Sequence, residues 1–170
     1  MNKLLEKLYQ LVLKLQELLR QKSIIIENQT EIKVSELSPQ RFYRIARENL
    51  GKDLSPTQKE LGCVESLETI HRLAFGDYIG GDTSLISTIK LKYHLFKRND
   101  FVRIDNYEVG AIILCVTGEG KNRSNGHTGI CGKFQIMSNN SETGLWDTKY
   151  TLTLWKKYFA GFPIYFFRKI

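Results

Sequence analysis

Apolar and polar positions along this chain change rhythm twice. In residues 1–22, "MNKLLEKLYQLVLKLQELLRQK", Leu4, Leu8, Leu11, Leu15 and Leu18 step by four and three, with Leu5, Val12 and Leu19 widening the stripe. That spacing predicts an amphipathic, coiled-coil-like helix. Charges at Lys3, Glu6, Lys7, Lys14, Glu17 and Arg20 break the apolar run well short of the roughly 20 residues a membrane span needs. No small-residue cleavage site follows, so a secretory signal is not expected, and the chain reads as made in the cytoplasm. Residues 23–38, "SIIIENQTEIKVSELS", read as a linker.

From residue 39 the period is helical. Ser38-Pro39 is a helix start, with Ser38 as cap, and residues 39–50 turn Phe42, Ile45, Ala46 and Leu50 inward. Ser55-Pro56-Thr57-Gln58 repeats the start signal with capping-box spacing. A second helix follows with Val64, Leu67, Ile70 and Ala74 on one face, closed by Gly76. The turn "YIGGDTS" leads to a third helix from about Leu85 to Phe96. After residue 100 the segments "FVRI", "VGAIILCVT", "HTGICG", "FQIMSN" and "IYFFRK" are short, β-branched and aromatic, as strands are. Asn125-Gly126 is the strongest tight-turn pair. A helix from about Leu152 to Ala160 interrupts the strands, although "TLTLW" could also pair as one. Helices first, then an antiparallel sheet, make residues 39–170 one α+β domain.

Composition narrows the function classes. The hydrophobic fraction of 42% and charged fraction of 25% are those of an ordinary globular chain. A net charge of +7 and a pI near 9.3 favour polyanionic surroundings: nucleic acid, acidic cell-wall polymer or anionic lipid. Lys and Arg are scattered ("KLK", "KRND", "KNR", "WKK") instead of lining one helix with interleaved aromatics, so nucleic acid is not the expected partner. Three cysteines without CxxC and three distant histidines indicate neither a disulfide framework nor a metal site. "TGEGKNRS" lacks the first glycine of a phosphate loop and has Asn122 after Lys121, so no nucleotide cofactor is implied. For residues 1–22 the expected role is self-association, with a membrane surface as the second candidate.

One thiol stands out. Cys63 follows a glycine and opens a helix, where the dipole favours the thiolate and free backbone N–H groups can face an oxyanion. Such a thiol needs an imidazole and a group to orient it. His127 begins a strand, and Asn139 lies twelve residues later, within reach of a hairpin. Glu65 follows in the first helical turn and is expected at the cleft edge. Trp146, Trp155 and Tyr150 are aromatic candidates for the cleft, with the core as their other place. Cys115 and Cys131 sit inside strands as core residues, His71 on a helix flank and His94 at the surface.

These residues, and the blocks "LGKDLSPTQKELGCVES", "IGGDTS", "GHTGICG" and "MSNNSETGLW", resemble the papain-like peptidoglycan hydrolases of the NlpC-type and CHAP groups. Small phage and prophage endolysin-like proteins are the nearest likeness, over roughly residues 39–170. The resemblance implies a papain-like fold, a cysteine peptidase or amidase acting on peptidoglycan at the bacterial wall, and no cofactor. It implies Cys63 as nucleophile, His127 as base and then acid, and Asn139 as the orienting residue. Many NlpC-type enzymes carry a second histidine at that third place; here Asn140 adjoins Asn139, and the role falls to either. An asparagine carbonyl suffices to hold an imidazole N–H. The other class is a non-catalytic phage or wall-binding module with the same fold.

Overall fold

The computed structural model describes residues 37–57, 62–81, 85, 87–121 and 125–170, together with residues 12, 14–19 and 21. Met1–Glu36 and Leu37–Ile170 form separate compact units. In the first, residues 12, 14–19 and 21 are helical, and Val12, Leu15, Leu18 and Leu19 are exposed. The remainder of the expected helix, and the linker up to residue 36, lie outside the described residues.

The second unit opens with three helices, α1 (Ser38–Glu48), α2 (Cys63–Phe75) and α3 (Thr88–Lys97). Pro39 lies in the first turn of α1, where its missing N–H costs nothing. Leu37 takes the cap position, and the Ser38 hydroxyl donates instead to the Ile170 carbonyl at 3.4 Å. Phe42 and Ala46 are buried as expected, whereas Leu50 lies past the helix end and is exposed. The start signal at Ser55 leaves residues 55–57 non-helical, and α2 begins at Cys63, as the sequence leads one to expect. Ser55 N–H is taken by Asp53 Oδ1 at 3.0 Å, a local turn that competes with helix, and residues 58–61 are outside the described set. Gly76 ends α2 in the left-handed conformation, φ 92°, which favours glycine.

The strands are β1 (Phe101–Ile104), β2 (Ile112–Cys115), β3 (His127–Cys131), β4 (Ile136–Asn139), β5 (Trp146–Tyr150) and β6 (Tyr165–Lys169), with α4 (Leu152–Tyr158) between the last two. They form one sheet in the order β1-β6-β2-β3-β4-β5, antiparallel throughout. The protein is thus α+β, and the helical reading of "TLTLW" holds. Asn125-Gly126 makes no two-residue hairpin, because residues 116–126 all lie between β2 and β3. Strand β5 escapes the sequence reading for a physical reason. Ile136 pairs with Tyr150 but Ser138 with Asp147, so β5 carries one extra residue and loses the period of two.

Two cores lie on the sheet. Phe42, Leu67, Leu91, Leu114, Ile130 and Trp146 belong to the larger, under α1, α2 and α3. Ile113, Cys115, Cys131, Tyr150, Trp155 and Phe166 form the smaller, under α4. Among the described residues no helix is long and apolar enough to cross a membrane.

Candidate active site

Cys63 is the first residue of α2, and Gly62 accepts the first helical bond from Ser66 N–H at 2.8 Å. Its side chain belongs to the helix-side core and is 7% exposed. Backbone hydrogen bonds from Thr128, Val64 and Cys63 itself favour the thiolate, as the helix start leads one to expect. Burial outweighs them and pushes the thiol up to about 11. The resting group at neutral pH is therefore the thiol.

His127 is the first residue of β3 and pairs with Cys115 of β2. Paired residues share a sheet face, so the imidazole lies on the α4 side. Phe159 stacks on it at 5.7 Å with 14° between planes, and Trp155 and Tyr150 flank it at 5.4 and 5.9 Å. Its Nε2 is buried and has no hydrogen-bond partner. Burial first, and then the Lys149 ammonium, bring the imidazole down to about 4. No hydrogen bond joins His127 to Cys63. The two meet as linings of one cleft of about 510 Å³ at the end of the sheet, with Thr88, Thr117, Lys149 and Tyr158 around them.

The third position differs from expectation. Ile130 pairs with Met137, and continuing that register sets Asn139 opposite Thr128 and Asn140 opposite His127. Asn139 Oδ1 accepts from Ser55 and Ser66 hydroxyls at 3.3 and 3.4 Å, on the helix side. It ties β4 to the first turn of α2 and does not hold the imidazole. Asn140 shapes the turn after β4: its Oδ1 accepts from Glu142 N–H at 3.1 Å and its Nδ2 donates to Asp147 at 3.4 Å. Glu65 accepts from the Thr57 hydroxyl at 2.8 Å, with its other oxygen buried and unpartnered. Trp146 is fully buried and donates to the Ala46 carbonyl at 3.0 Å, so it is core and lines no cleft. Trp155 is core too, while Tyr150 reaches the cleft.

Sequence reasoning missed Lys149, Phe159 and Tyr158, which share the cleft with His127. Lys149 lies in the strand that the bulge conceals. It also placed His71 on a flank, whereas His71 is fully buried with Nδ1 2.7 Å from the Asp77 carbonyl. Glu68, one turn earlier, accepts from Ile79 and Gly80 N–H at 2.7 and 3.2 Å, and burial pushes it up to about 7. The spacing Val64, Leu67, Glu68, His71, Ala74 was the available signal, a helical stripe containing two ionisable positions.

Cys63, Cys115 and Cys131 are all unpaired. Among the described residues no group of three His, Cys, Asp or Glu side chains gathers to hold a metal ion. No protein-family model and no curated protein matches this chain, so a functional reading has to rest on the site itself.

Proposed function

We propose that this protein is a cysteine hydrolase with a papain-like fold, cleaving amide bonds of bacterial peptidoglycan as a peptidase or amidase, in endolysin-like fashion. The observation that carries the reading is a thiol on the first turn of a helix, ringed by backbone N–H groups, in a cleft that also takes a neutral imidazole. The sulfur hydrogen-bonds the backbone of Thr128, the residue next to His127, so the thiol lies at the same end of β3 as the imidazole. Turning the ring breaks no hydrogen bond at Nε2.

The chemistry begins from thiol and neutral imidazole. His127 takes the thiol proton as sulfur attacks the amide carbonyl, and the helix-start N–H groups receive the developing oxyanion. The imidazolium returns its proton to the leaving amine, leaving a thioester on Cys63. Water, deprotonated by the same imidazole, releases the acid and the free thiol. The basic surface suits an acidic wall polymer. The exposed Leu15, Leu18 and Leu19 add a means of self-association, measurable by light scattering as a fall in oligomer size when residues 1–22 are deleted.

Mass analysis of wall fragments tests the reading. Wild-type protein is expected to release amide-cleaved products that Cys63→Ser does not. A second reading, a non-catalytic wall-binding module, draws on the missing Cys63–His127 bond and the raised thiol. Wall binding with no new fragments would favour it.

A further inference from the structure

The outer side of α3 carries an apolar stripe. Thr88, Leu91 and Leu95 are buried, while Ile89, Tyr93 and Phe96, at i, i+4 and i+7, are 57%, 54% and 51% exposed. Single exposed apolar side chains are ordinary, but three in register on one helix make a face that the domain leaves open. Phe96 carries it onto the sheet, meeting the Tyr165 and Phe167 rings edge-on at 6.4 and 5.2 Å. The rim is cationic, and α3 itself contains no Asp or Glu. Lys90 and Lys97 flank the stripe, with the Lys97 ammonium 4.3 Å from the Tyr93 ring centre. Arg103 of β1 lies over Tyr165 at 5.4 Å. None of these three has a carboxylate partner among the described residues, whereas Lys92 is held by Glu119 at 2.7 Å.

Charge and area choose the occupant. A second copy paired through this face would bring cations against cations, which an interface avoids. A helix about 15 Å long offers on the order of a few hundred Å² along one face, short of the roughly 800 Å² per partner of a stable protein complex. An interfacial helix needs no more than an apolar face with basic flanks, the lysine stems lying along the boundary and the ammonium groups among the headgroups. We propose that α3 docks on an anionic lipid surface, with Ile89, Tyr93 and Phe96 entering the headgroup boundary and Lys90, Lys97 and Arg103 meeting lipid phosphates. The proposal is independent of the hydrolase reading, since it concerns where the domain sits and not what it cuts. Ile89 also lines the cleft, so docking brings the cleft mouth to the bilayer surface.

Co-sedimentation of the full chain with vesicles of equal parts phosphatidylglycerol and phosphatidylcholine tests this, beside vesicles of phosphatidylcholine alone. Binding should be about tenfold tighter to the anionic vesicles and should weaken as salt rises. Lys90→Ala combined with Lys97→Ala should cancel most of that tenfold preference. Tyr93→Ser alters a ring that packs on His94 and Lys97 of its own helix, so it should weaken binding about fivefold without moving the thermal midpoint. Leu15, Leu18 and Leu19 are exposed as well, so a readout specific to α3 is needed. Tyr93→Trp supplies it: its emission should shift to the blue when anionic vesicles are added, over a constant background from the fully buried Trp146 and Trp155. Emission that stays unmoved, or vesicle binding that is absent or survives both Tyr93→Ser and the lysine variant, overturns the proposal. A smaller oligomer on Tyr93→Ser with vesicle binding unchanged would overturn it too, and would assign the stripe to a second copy.

Discussion

On the face of the sheet under α1, α2 and α3, polar groups are held by hydrogen bonds: Asn139 to Ser55 and Ser66, Trp146 to Ala46. On the face under α4, His127 is held by ring contacts with Phe159, Trp155 and Tyr150, and its Nε2 bonds to nothing. Hydrogen bonds hold by donor and acceptor, whereas ring contacts hold by area and stacking geometry. The thiol therefore sits on the hydrogen-bonded side and the base on the aromatic side. The cleft at the sheet end is where the two sides meet.

Substituting the two tryptophans measures that contrast most strongly. Trp146→Phe should cost about 3 kcal/mol in urea unfolding, since it loses buried volume and a buried indole hydrogen bond, leaving the Ala46 carbonyl only the 3.4 Å bond from Asn49 N–H. Trp155→Phe should cost about half as much, because the indole donates only to Cys115 sulfur, at 3.3 Å, a weaker acceptor. Equal losses would erase the distinction between the faces.

Asn139→Ala comes next. It removes the acceptor of two buried hydroxyls and should lower stability by about 2 kcal/mol, seen as a drop in the thermal midpoint. The NMR titration midpoint of His127 should stay where it is. A shift of that midpoint would mean that Asn139 orients the imidazole after all.

Smaller effects read one titratable group on each side. Phe159→Leu should raise the His127 titration midpoint from about 4 toward its ordinary 6.5, as thinner cover lets water reach the ring. The pH dependence of stability has two opposing parts. His127 is lowered, so between about pH 6.5 and 4 the unfolded chain binds more protons than the native one, and stability falls as pH falls. Glu68 is raised from 4.5 to about 7, so in that window the native state binds more protons, and stability falls as pH rises. Urea midpoints of Glu68→Gln should therefore climb more steeply with pH from 4.5 to 6.5 than those of wild type. Those of His127→Gln should climb less steeply.

Much of the helix side was readable from sequence because its cues are local. A glycine before Cys63, an apolar stripe from Val64 to Ala74 and Gly76 at the end specify α2 nearly residue by residue. The sheet was harder to read where its cues are not local. The extra residue in β5 hid a strand and with it Lys149. The register of β3 on β4, which depends on a pairing and not on spacing, moved Asn139 away from His127. The thiol pKa was misjudged because a helix start is visible in sequence and depth of burial is not.

The measurement closest to the heart of the account is a double-mutant cycle on wall-peptide amide turnover, with Cys63→Ala, His127→Ala and the pair. Groups that act as one unit lose nearly everything at the first removal, so each single variant should be about as inactive as the double. Independent losses that multiply, or turnover that survives Cys63→Ala, would contradict the claim that thiol and imidazole, from opposite faces of the sheet, work together.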